Sequence, residues 1–198
     1  RDANTTEEEV LDIVQQLNED PDVDGFIVQL PLPKHIDEEK VNLAIDPKKD
    51  VDGFHPMNVG RMTLGLPSYL PATPFGIMQM LDRYGIETTG KHCVVIGRSH
   101  LVGLPMARLL LGCNATVTTV HSRTKNIQDM VRTADVVVAA VGKAELVTSD
   151  WLKEGAVVID VGINSVDIVP TKPGGKPYKL VGDVDFASVN EVAGAITP

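Results

Sequence analysis

The stretch of sequence that decides the fold is residues 92–105, which read HCVVIGRSHLVGLP. Its apolar part, Cys93–Ile96, predicts a buried β-strand, and Gly97 follows it directly before a predicted helix. A strand, a glycine-containing turn and a helix start form the context of a dinucleotide site, because backbone N–H groups and the positive helix end face the pyrophosphate. The spacing departs from G-x-G-x-x-G, since Ser99 stands where a second glycine is expected and Gly103 comes late. A plain strand–helix turn is therefore the alternative interpretation.

The alternation of strands and helices continues from this segment towards the C-terminus. The sequence predicts strands at residues 92–96, 115–120, 136–141 and 156–161, and helices at 102–111, 125–132 and 149–153. These strands are nearly continuous in hydrophobicity, which is typical of parallel strands covered on both faces. Residues 170–177, rich in proline and glycine, predict an exposed loop or hairpin. We therefore predict an α/β fold with a doubly wound, Rossmann-like domain over residues 74–198.

Residues 1–73 predict part of a second α/β domain. Thr5 with Glu8, or Thr6 with Glu9, forms a capping box that starts a helix. A short buried strand is predicted at residues 26–30 and a second helix at residues 38–45. The boundary is placed at Thr73-Pro74, which combines a helix N-cap with proline at the first helical position.

The residues after strand 115–120 indicate which dinucleotide binds. Folds that prefer NAD place Asp or Glu here, to bind the ribose 2′-hydroxyl. This strand is instead followed by His121-Ser122-Arg123-Thr124, and a hydroxyl with a guanidinium suits a 2′-phosphate. We predict NADP, with Ser122 and Arg123 as ligands and Arg98 as a second candidate. A solvated surface charge is the alternative for Arg123.

Two later strands also end in glycine, at Gly142 and Gly162. Ligands of open parallel sheets bind outside the carboxyl ends of the strands. Both glycines would let the backbone approach the nicotinamide half of the cofactor, although either alone is equally consistent with a structural turn.

Two N-terminal segments carry candidate substrate-binding residues. Gln29 ends an apolar run before Pro31 and Pro33, which restrict the backbone that follows. Asp52 lies in the segment Lys49–Gly53, where carboxylates at the end of an element could face a cleft. A solvated strand end and a capped turn are the alternatives, because Asp and Gly favour turns regardless of function.

Net charge, apolar runs and cysteine content restrict the binding partners and the compartment that the chain suits. The net charge of −9 argues against a nucleic-acid partner, which needs a basic face. No apolar run is long enough to span a bilayer. The two cysteines, Cys93 and Cys113, are too few for a disulfide scaffold, which favours a reducing compartment.

Taken together, these segments resemble the bifunctional methylenetetrahydrofolate dehydrogenase/methenyltetrahydrofolate cyclohydrolase family. The matching segments occur in the family's order and spacing: Val28–Pro33, Lys49–Gly53, Val59–Arg61, Pro71–Pro74, Gly97–Pro105, Val158–Asn164 and Gly182–Val184. The resemblance covers essentially the whole chain. It implies a cytoplasmic homodimer of one-carbon metabolism that serves purine, methionine and histidine biosynthesis and binds tetrahydrofolate derivatives and NADP, without a metal.

The resemblance also implies a reaction and roles for single residues. Such enzymes oxidise 5,10-methylenetetrahydrofolate by hydride transfer to NADP, and hydrolyse the methenyl product to 10-formyltetrahydrofolate in the same cleft. Gln29 matches the residue that hydrogen-bonds the catalytic lysine, and Asp52 matches the carboxylate that holds the pterin. With Pro31 they would bind the substrate, in a folate-binding catalytic domain over residues 1–73. The matches to cofactor contacts are Gly97, Arg98, Ser99, Ser122 and Ile163.

The chain departs from the family pattern at both ends. The family's Tyr-x-x-x-Lys motif is expected upstream of residue 1, and a Pro-Gly-Gly loop and a closing helix are expected beyond Pro198. The sequence is therefore interpreted as an internal fragment that keeps most of the cofactor domain but lacks cyclohydrolase activity. Ala72 replaces a cysteine found in many relatives, with no expected chemical consequence.

Three other classes are considered. A two-domain NADP dehydrogenase of the shikimate or amino-acid type would share the fold but lack Gln29-Leu30-Pro31 together with Asp52. A folate- or NADP-binding module without activity would lack Tyr-x-x-x-Lys in the full-length gene. A structural α/β domain would have glycine turns that are only turns.

Overall fold

The computed structural model describes residue 2, residues 4–168 and residues 177–198. The chain divides into two units, Arg1–Thr73 and Pro74–Pro198. The predicted loop at residues 170–177 lies outside the described residues except for Pro177.

Unit 1 contains three helices: α1 (Glu7–Glu19), α2 (Glu38–Ala44) and α3 (Pro56–Thr63). The Thr6–Glu9 capping box predicted for α1 is present, with the Glu9 N–H donating to Thr6 Oγ1 at 3.2 Å. Helix α3 was not predicted, although Pro56 stands at its first position and His55 Nδ1 accepts from the Met57 N–H. Two of the three helices could therefore be predicted from the spacing of apolar residues.

The predicted strand at residues 26–30 is wrong. Only Phe26 pairs, as a single parallel bridge to Asp50, and Ile27 is 54% exposed. A strand needs a ladder of backbone hydrogen bonds along its length. Among the described residues only the Lys49–Asp50 segment offers such partners, so pairing stops after one residue.

Unit 2 is a five-stranded parallel sheet with helices on both faces. In chain order its elements are α4 (Ala72–Arg83), β1 (His92–Ile96), α5 (Gly103–Gly112), β2 (Thr116–Val120), α6 (Ile127–Val131), β3 (Val136–Ala139), a 3₁₀ turn (Ser149–Trp151), β4 (Val157–Asp160), β5 (Asn164–Asp167), β6 (Tyr178–Val181), α7 (Phe186–Val189) and β7 (Ala195–Ile196). The sheet order is β2-β1-β3-β4-β7, and β5 and β6 form a separate antiparallel pair. The predicted fold class is confirmed.

Helix α4 begins one residue before the predicted cap. Thr73 lies inside its first turn, and Pro74 is still in that turn, where an N–H would have no helical partner. Strand β1 has the predicted bounds, whereas the helix predicted at residues 149–153 is wrong, because only a 3₁₀ turn forms, over Ser149–Trp151. The remaining predicted strands and helices differ from the observed ones by one or two residues at an end.

Alternate residues of the strands fill two cores. Val94, Ile96 and Val137 face one side with Trp151 and Val189, while a second cluster lies on the other face and comprises Cys93, Val95, Val138, Ile77, Leu81, Met106 and Leu110. This alternation follows from the two-residue period of a strand. Burial raises the pKa of the Cys93 thiol to about 11, so that thiol stays protonated.

Candidate functional site

The turn after β1 lies at the point where the strand order reverses. From β1 the chain passes to β2 on one side of the sheet and then to β3 on the other. Ligands of doubly wound sheets bind at this switch point, outside the carboxyl ends of the strands. The sequence-predicted turn Gly97–Gly103 therefore stands at the expected position for a ligand.

Backbone approaches backbone very closely in this turn. Gly97 has a φ of 121°, and its N–H donates to Val120 O at 2.9 Å. A Cβ on Gly97 would overlap the Ala140 carbonyl oxygen and stand 2.9 Å from the carbonyl carbon. A Cβ on Gly103 would stand 2.7 Å from the Gly97 carbonyl carbon. Only glycine fits at either position.

The amides of the turn fall into two groups. Ser99 Oγ accepts from the N–H groups of Val102 and Gly103, at 3.2 and 3.3 Å, and so caps α5 from within the turn. Within the described parts of the chain, the N–H groups of residues 98–101 have no hydrogen-bond acceptor. These residues are exposed, so their donors are available to an anionic ligand.

The turn after β2 is adjacent to the turn after β1. Its own hydrogen bonds close it: the His121 N–H donates to Thr124 Oγ1 at 2.9 Å, and the Arg123 N–H donates to His121 Nδ1 at 3.2 Å. Ser122 and Arg123 are both exposed, as is Arg98. The parallel pairing of Ile96 with Val120 brings the two turns to the same sheet edge.

At the carboxyl ends of β3 and β4 the structure shows two carboxylates that sequence reasoning missed. The Gly142 N–H donates to Asp183 Oδ2 at 3.0 Å, and the Gly162 N–H donates to Asp160 Oδ1 at 2.8 Å. The two predicted glycines are therefore held by side chains. Ile163, which directly follows Gly162, is 80% exposed. The sequence offered one signal for Asp183, because the segment Gly182–Val184 matches the family pattern. The residue types of that segment do not indicate what the aspartate does.

In unit 1, Asp52 and the bridge at Phe26 line one small cavity of about 20 Å³. Asp50, only 1% exposed, accepts from the His55 N–H and Asn58 Nδ2, each at 2.8 Å. Burial, and then the charge of Asp50, raise the pKa of Asp52. The Asp52 carboxyl group thus lies close to the buried carboxylate of Asp50, which is held by hydrogen bonds.

Gln29 does not share that cavity, although its neighbour Leu30 does. The exposed side chain of Gln29 donates through Nε2 to Leu30 O at 3.0 Å. Pro31 is also exposed and follows a cis peptide bond. The structure therefore brings Asp52, but not Gln29, into the cavity.

The part of the chain that the structure describes contains neither a candidate membrane-spanning helix nor a cluster of metal-ligating side chains. No helix there is long and apolar enough to cross a membrane. No group of three or more His, Cys, Asp or Glu side chains in the same part of the chain is placed to hold a metal ion.

Comparison with known proteins gives consistent matches along the chain. Residues 71–198 match the family model described as "Tetrahydrofolate dehydrogenase/cyclohydrolase, NAD(P)-binding domain", and residues 1–52 match the catalytic domain of the same family. The bifunctional protein FolD of Cytophaga hutchinsonii is 57% identical over 98% of this chain and 67% of its own length.

Solved structures agree. The bifunctional FolD dehydrogenase/cyclohydrolase from Campylobacter jejuni is 45% identical, with a TM-score of 0.91 over 99% of this chain and 67% of its own. The Trypanosoma brucei enzyme, solved with NADP cofactor and inhibitor, is 44% identical, with a TM-score of 0.90 over 99% and 66%. The chain spans about two thirds of the length of these relatives. The resemblance stated from the sequence is confirmed, and the chain belongs to the tetrahydrofolate dehydrogenase/cyclohydrolase family.

Proposed function

We propose that this chain takes part in NADP-dependent oxidation of 5,10-methylenetetrahydrofolate and in hydrolysis of the methenyl product to 10-formyltetrahydrofolate. The observation that carries the proposal is the glycine-lined turn after β1, with its free amides at the switch point, in a chain of this family. The oxidation needs positioning more than acid–base chemistry, since a hydride must pass between two closely held carbons.

The residues present fit a nicotinamide dinucleotide. A Cβ at Gly97 would overlap the Ala140 carbonyl and one at Gly103 would overlap the Gly97 carbonyl, so either side chain would displace the turn. The exposed N–H groups of residues 98–101 can donate to a pyrophosphate. Arg98 and Ser99 lie in that turn, and the exposed Ser122 and Arg123 are the proposed ligands of a 2′-phosphate. Ile163 would contact the nicotinamide half, and the cofactor supplies the hydride acceptor when bound.

On the substrate side, Asp52 is the proposed anchor of the pterin. A pterin edge offers adjacent N–H donors, and a carboxylate accepts two such bonds in parallel. We propose that Gln29 and Pro31 also contact the substrate, with Gln29 orienting the lysine that activates water for hydrolysis. Release of the Gln29 amide from Leu30 O would free it for that role.

The direct test is an assay of the full-length gene product with 5,10-methylenetetrahydrofolate and NADP, following NADPH absorbance and methenyl absorbance separately. We expect folate-dependent reduction of NADP, followed by decay of the methenyl signal. NADP binding without folate-dependent reduction would instead favour a binding module.

Reversal of charge at Arg123 tests the choice of dinucleotide. We expect Arg123→Glu to raise the KM for NADP about 10- to 100-fold, because a charge-assisted bond to phosphate contributes about 1.5–3 kcal/mol. The kcat with NADP and the kinetic constants with NAD should change little. Steady-state kinetics with both dinucleotides measure this.

Lys125→Glu is the matched control, since Lys125 is exposed two residues further on and the change in net charge is the same. It should leave the KM for NADP nearly unchanged. Equal effects of the two variants would assign the loss to long-range electrostatics and remove Arg123 from the site.

We also propose a cytoplasmic homodimer that supplies one-carbon units for purine, methionine and histidine biosynthesis. The support is the family resemblance and a chain whose two cysteines are both free thiols. Light scattering on the full-length gene product would test the dimer, with a monomer mass as the contradicting result.

A further inference from the structure

Asp183 joins two loops at the carboxyl edge of the sheet. Its side chain is fully buried and accepts from the N–H groups of Val141, Gly142 and Lys143, at 2.6, 3.0 and 2.9 Å. It also accepts from Asn164 Nδ2, at 2.9 Å. The loop after β3 and the segment after β4 are therefore tied to one carboxylate.

Asp160 holds Asp183 itself in place. Asp160 ends β4, and its Oδ1 accepts from the N–H groups of Gly162 and Asp183, at 2.8 and 2.9 Å. Its Oδ2 accepts from the Val184 N–H at 3.0 Å. The side chains of Asp160 and Asp183 thus connect three chain segments: residues 141–143, 160–164 and 182–184.

The two carboxylates pack directly against glycines, where no side chain would fit. A Cβ on Gly162 would overlap Asp183 Oδ1, and a Cβ on Gly182 would overlap Asp160 Oδ2. All the donors to Asp183 are neutral N–H groups, and no salt bridge to it occurs within the described ranges. Burying a carboxylate without a cationic partner costs free energy of folding, and apolar residues of similar volume could stabilise the fold equally well. Stability alone therefore does not explain why a carboxylate stands here.

What the arrangement fixes is the backbone on both sides of Ile163. The preceding residue, Gly162, donates to Asp160, and the following residue, Asn164, donates through its side chain to Asp183 and to Gly182 O. Ile163 is 80% exposed between these two anchors. An exposed isoleucine on a fixed backbone at a ligand-binding edge is placed to contact an apolar ring face.

We propose that Asp183 is a positioning residue for hydride transfer: through the backbone of residues 141–143 and through Asn164 it orients the surface that meets the nicotinamide ring. The proposal rests on the proposed function. Asp183 has no exposed surface and acts only through the segments that it holds. Cofactor affinity, in contrast, comes mainly from the phosphate-binding turns after β1 and β2.

The test is Asp183→Asn in the full-length gene product. The asparagine amide keeps the shape of the aspartate side chain, but its NH₂ group replaces one carboxylate oxygen. That NH₂ group then faces two N–H donors that the oxygen accepts from in the wild type, and these two hydrogen bonds are lost. We expect kcat for NADP reduction to fall about 10- to 100-fold, with the KM for NADP changed less than about 3-fold. The primary isotope effect on kcat, with folate deuterated at the transferred hydrogen, should rise, because hydride transfer becomes the slow step.

The isotope effect separates positioning from folding. A purely structural role would reduce the fraction of active molecules and the melting temperature but leave the isotope effect at the wild-type value, and that result would overturn the proposal. Asn164→Ala, which removes one donor to Asp183, should raise the isotope effect in the same direction. If Asp183→Asn does not fold, the isotope effect of Asn164→Ala tests the proposal instead.

Asp135→Asn is the matched control. Asp135 accepts from the His92 N–H at 2.8 Å and pairs with Lys153 at the opposite end of the sheet. The same substitution there should lower stability without changing the isotope effect. An inactive wild-type protein would contradict the proposed function and this proposal with it, whereas an active wild type with an unchanged isotope effect in both variants would contradict this proposal alone.

Discussion

A Gly97→Ala variant is expected to lose about 3 kcal/mol of unfolding free energy and to bind NADP at least about 10-fold more weakly. Gly97 has a φ of 121°, a region that L side chains rarely adopt. Its added Cβ would meet the carbonyl of Ala140, which is backbone and has no side-chain torsion with which to move away. Chemical denaturation and titration with NADP measure the two effects.

Both effects follow from one displacement. Relief of the overlap requires the turn after β1 to move away from β3, and that movement shifts the N–H groups of residues 98–101. The control is Gly76→Ala, because Gly76 lies inside α4 with no atom within 4 Å of its Cβ. That variant should be stabilised by about 0.5–1 kcal/mol. A Gly97→Ala protein as stable as wild type, with normal NADP affinity, would show that the turn is not constrained as described.

The parts of the fold that could be predicted are those that local sequence controls. The apolar run Cys93–Ile96 predicted β1 because parallel strands buried on both faces need continuous hydrophobicity. The Thr6–Glu9 capping box predicted the start of α1 because both of its hydrogen bonds join residues three apart. In each case the feature that determines the element lies within a few neighbouring residues of the chain.

The parts that could not be predicted depend on distant partners. Residues 26–30 have the composition of a strand, but pairing requires a neighbouring ladder, which only Asp50 supplies among the described residues. The bonds of Asp183 join it to residues about 40 positions earlier in the chain. No local pattern distinguishes that aspartate from one in a solvated turn, because its hydrogen-bond partners come together only when the sheet has formed.

An Asp52→Asn variant is expected to lower kcat/KM for 5,10-methylenetetrahydrofolate about 100-fold, with little effect on the KM for NADP. A carboxylate accepts two hydrogen bonds from the pterin edge, whereas an amide accepts one and opposes the second donor with its own N–H groups. Loss of one charge-assisted bond and repulsion at the other correspond to about 3 kcal/mol. Initial rates at varied folate concentration measure the loss. Asp12→Asn, on the exposed face of α1, removes the same charge and should leave kcat/KM unchanged.

The same substitution is expected to stabilise the fold near neutral pH, because the Asp52 carboxylate is held where ionisation is unfavourable. Burial, and then the charge of Asp50, raise the pKa of Asp52 above its ordinary value. The folded protein therefore binds this proton more tightly than the unfolded chain, so the contribution of Asp52 to stability improves as the pH falls through the raised pKa. The Asn variant should melt at a higher temperature than wild type at pH 7, and the difference should vanish below about pH 3, where the carboxyl is protonated in both states. A variant that is less stable at pH 7 would show that the carboxylate is a structural group, whereas lower activity with higher stability is the expected signature of a residue retained for ligand binding.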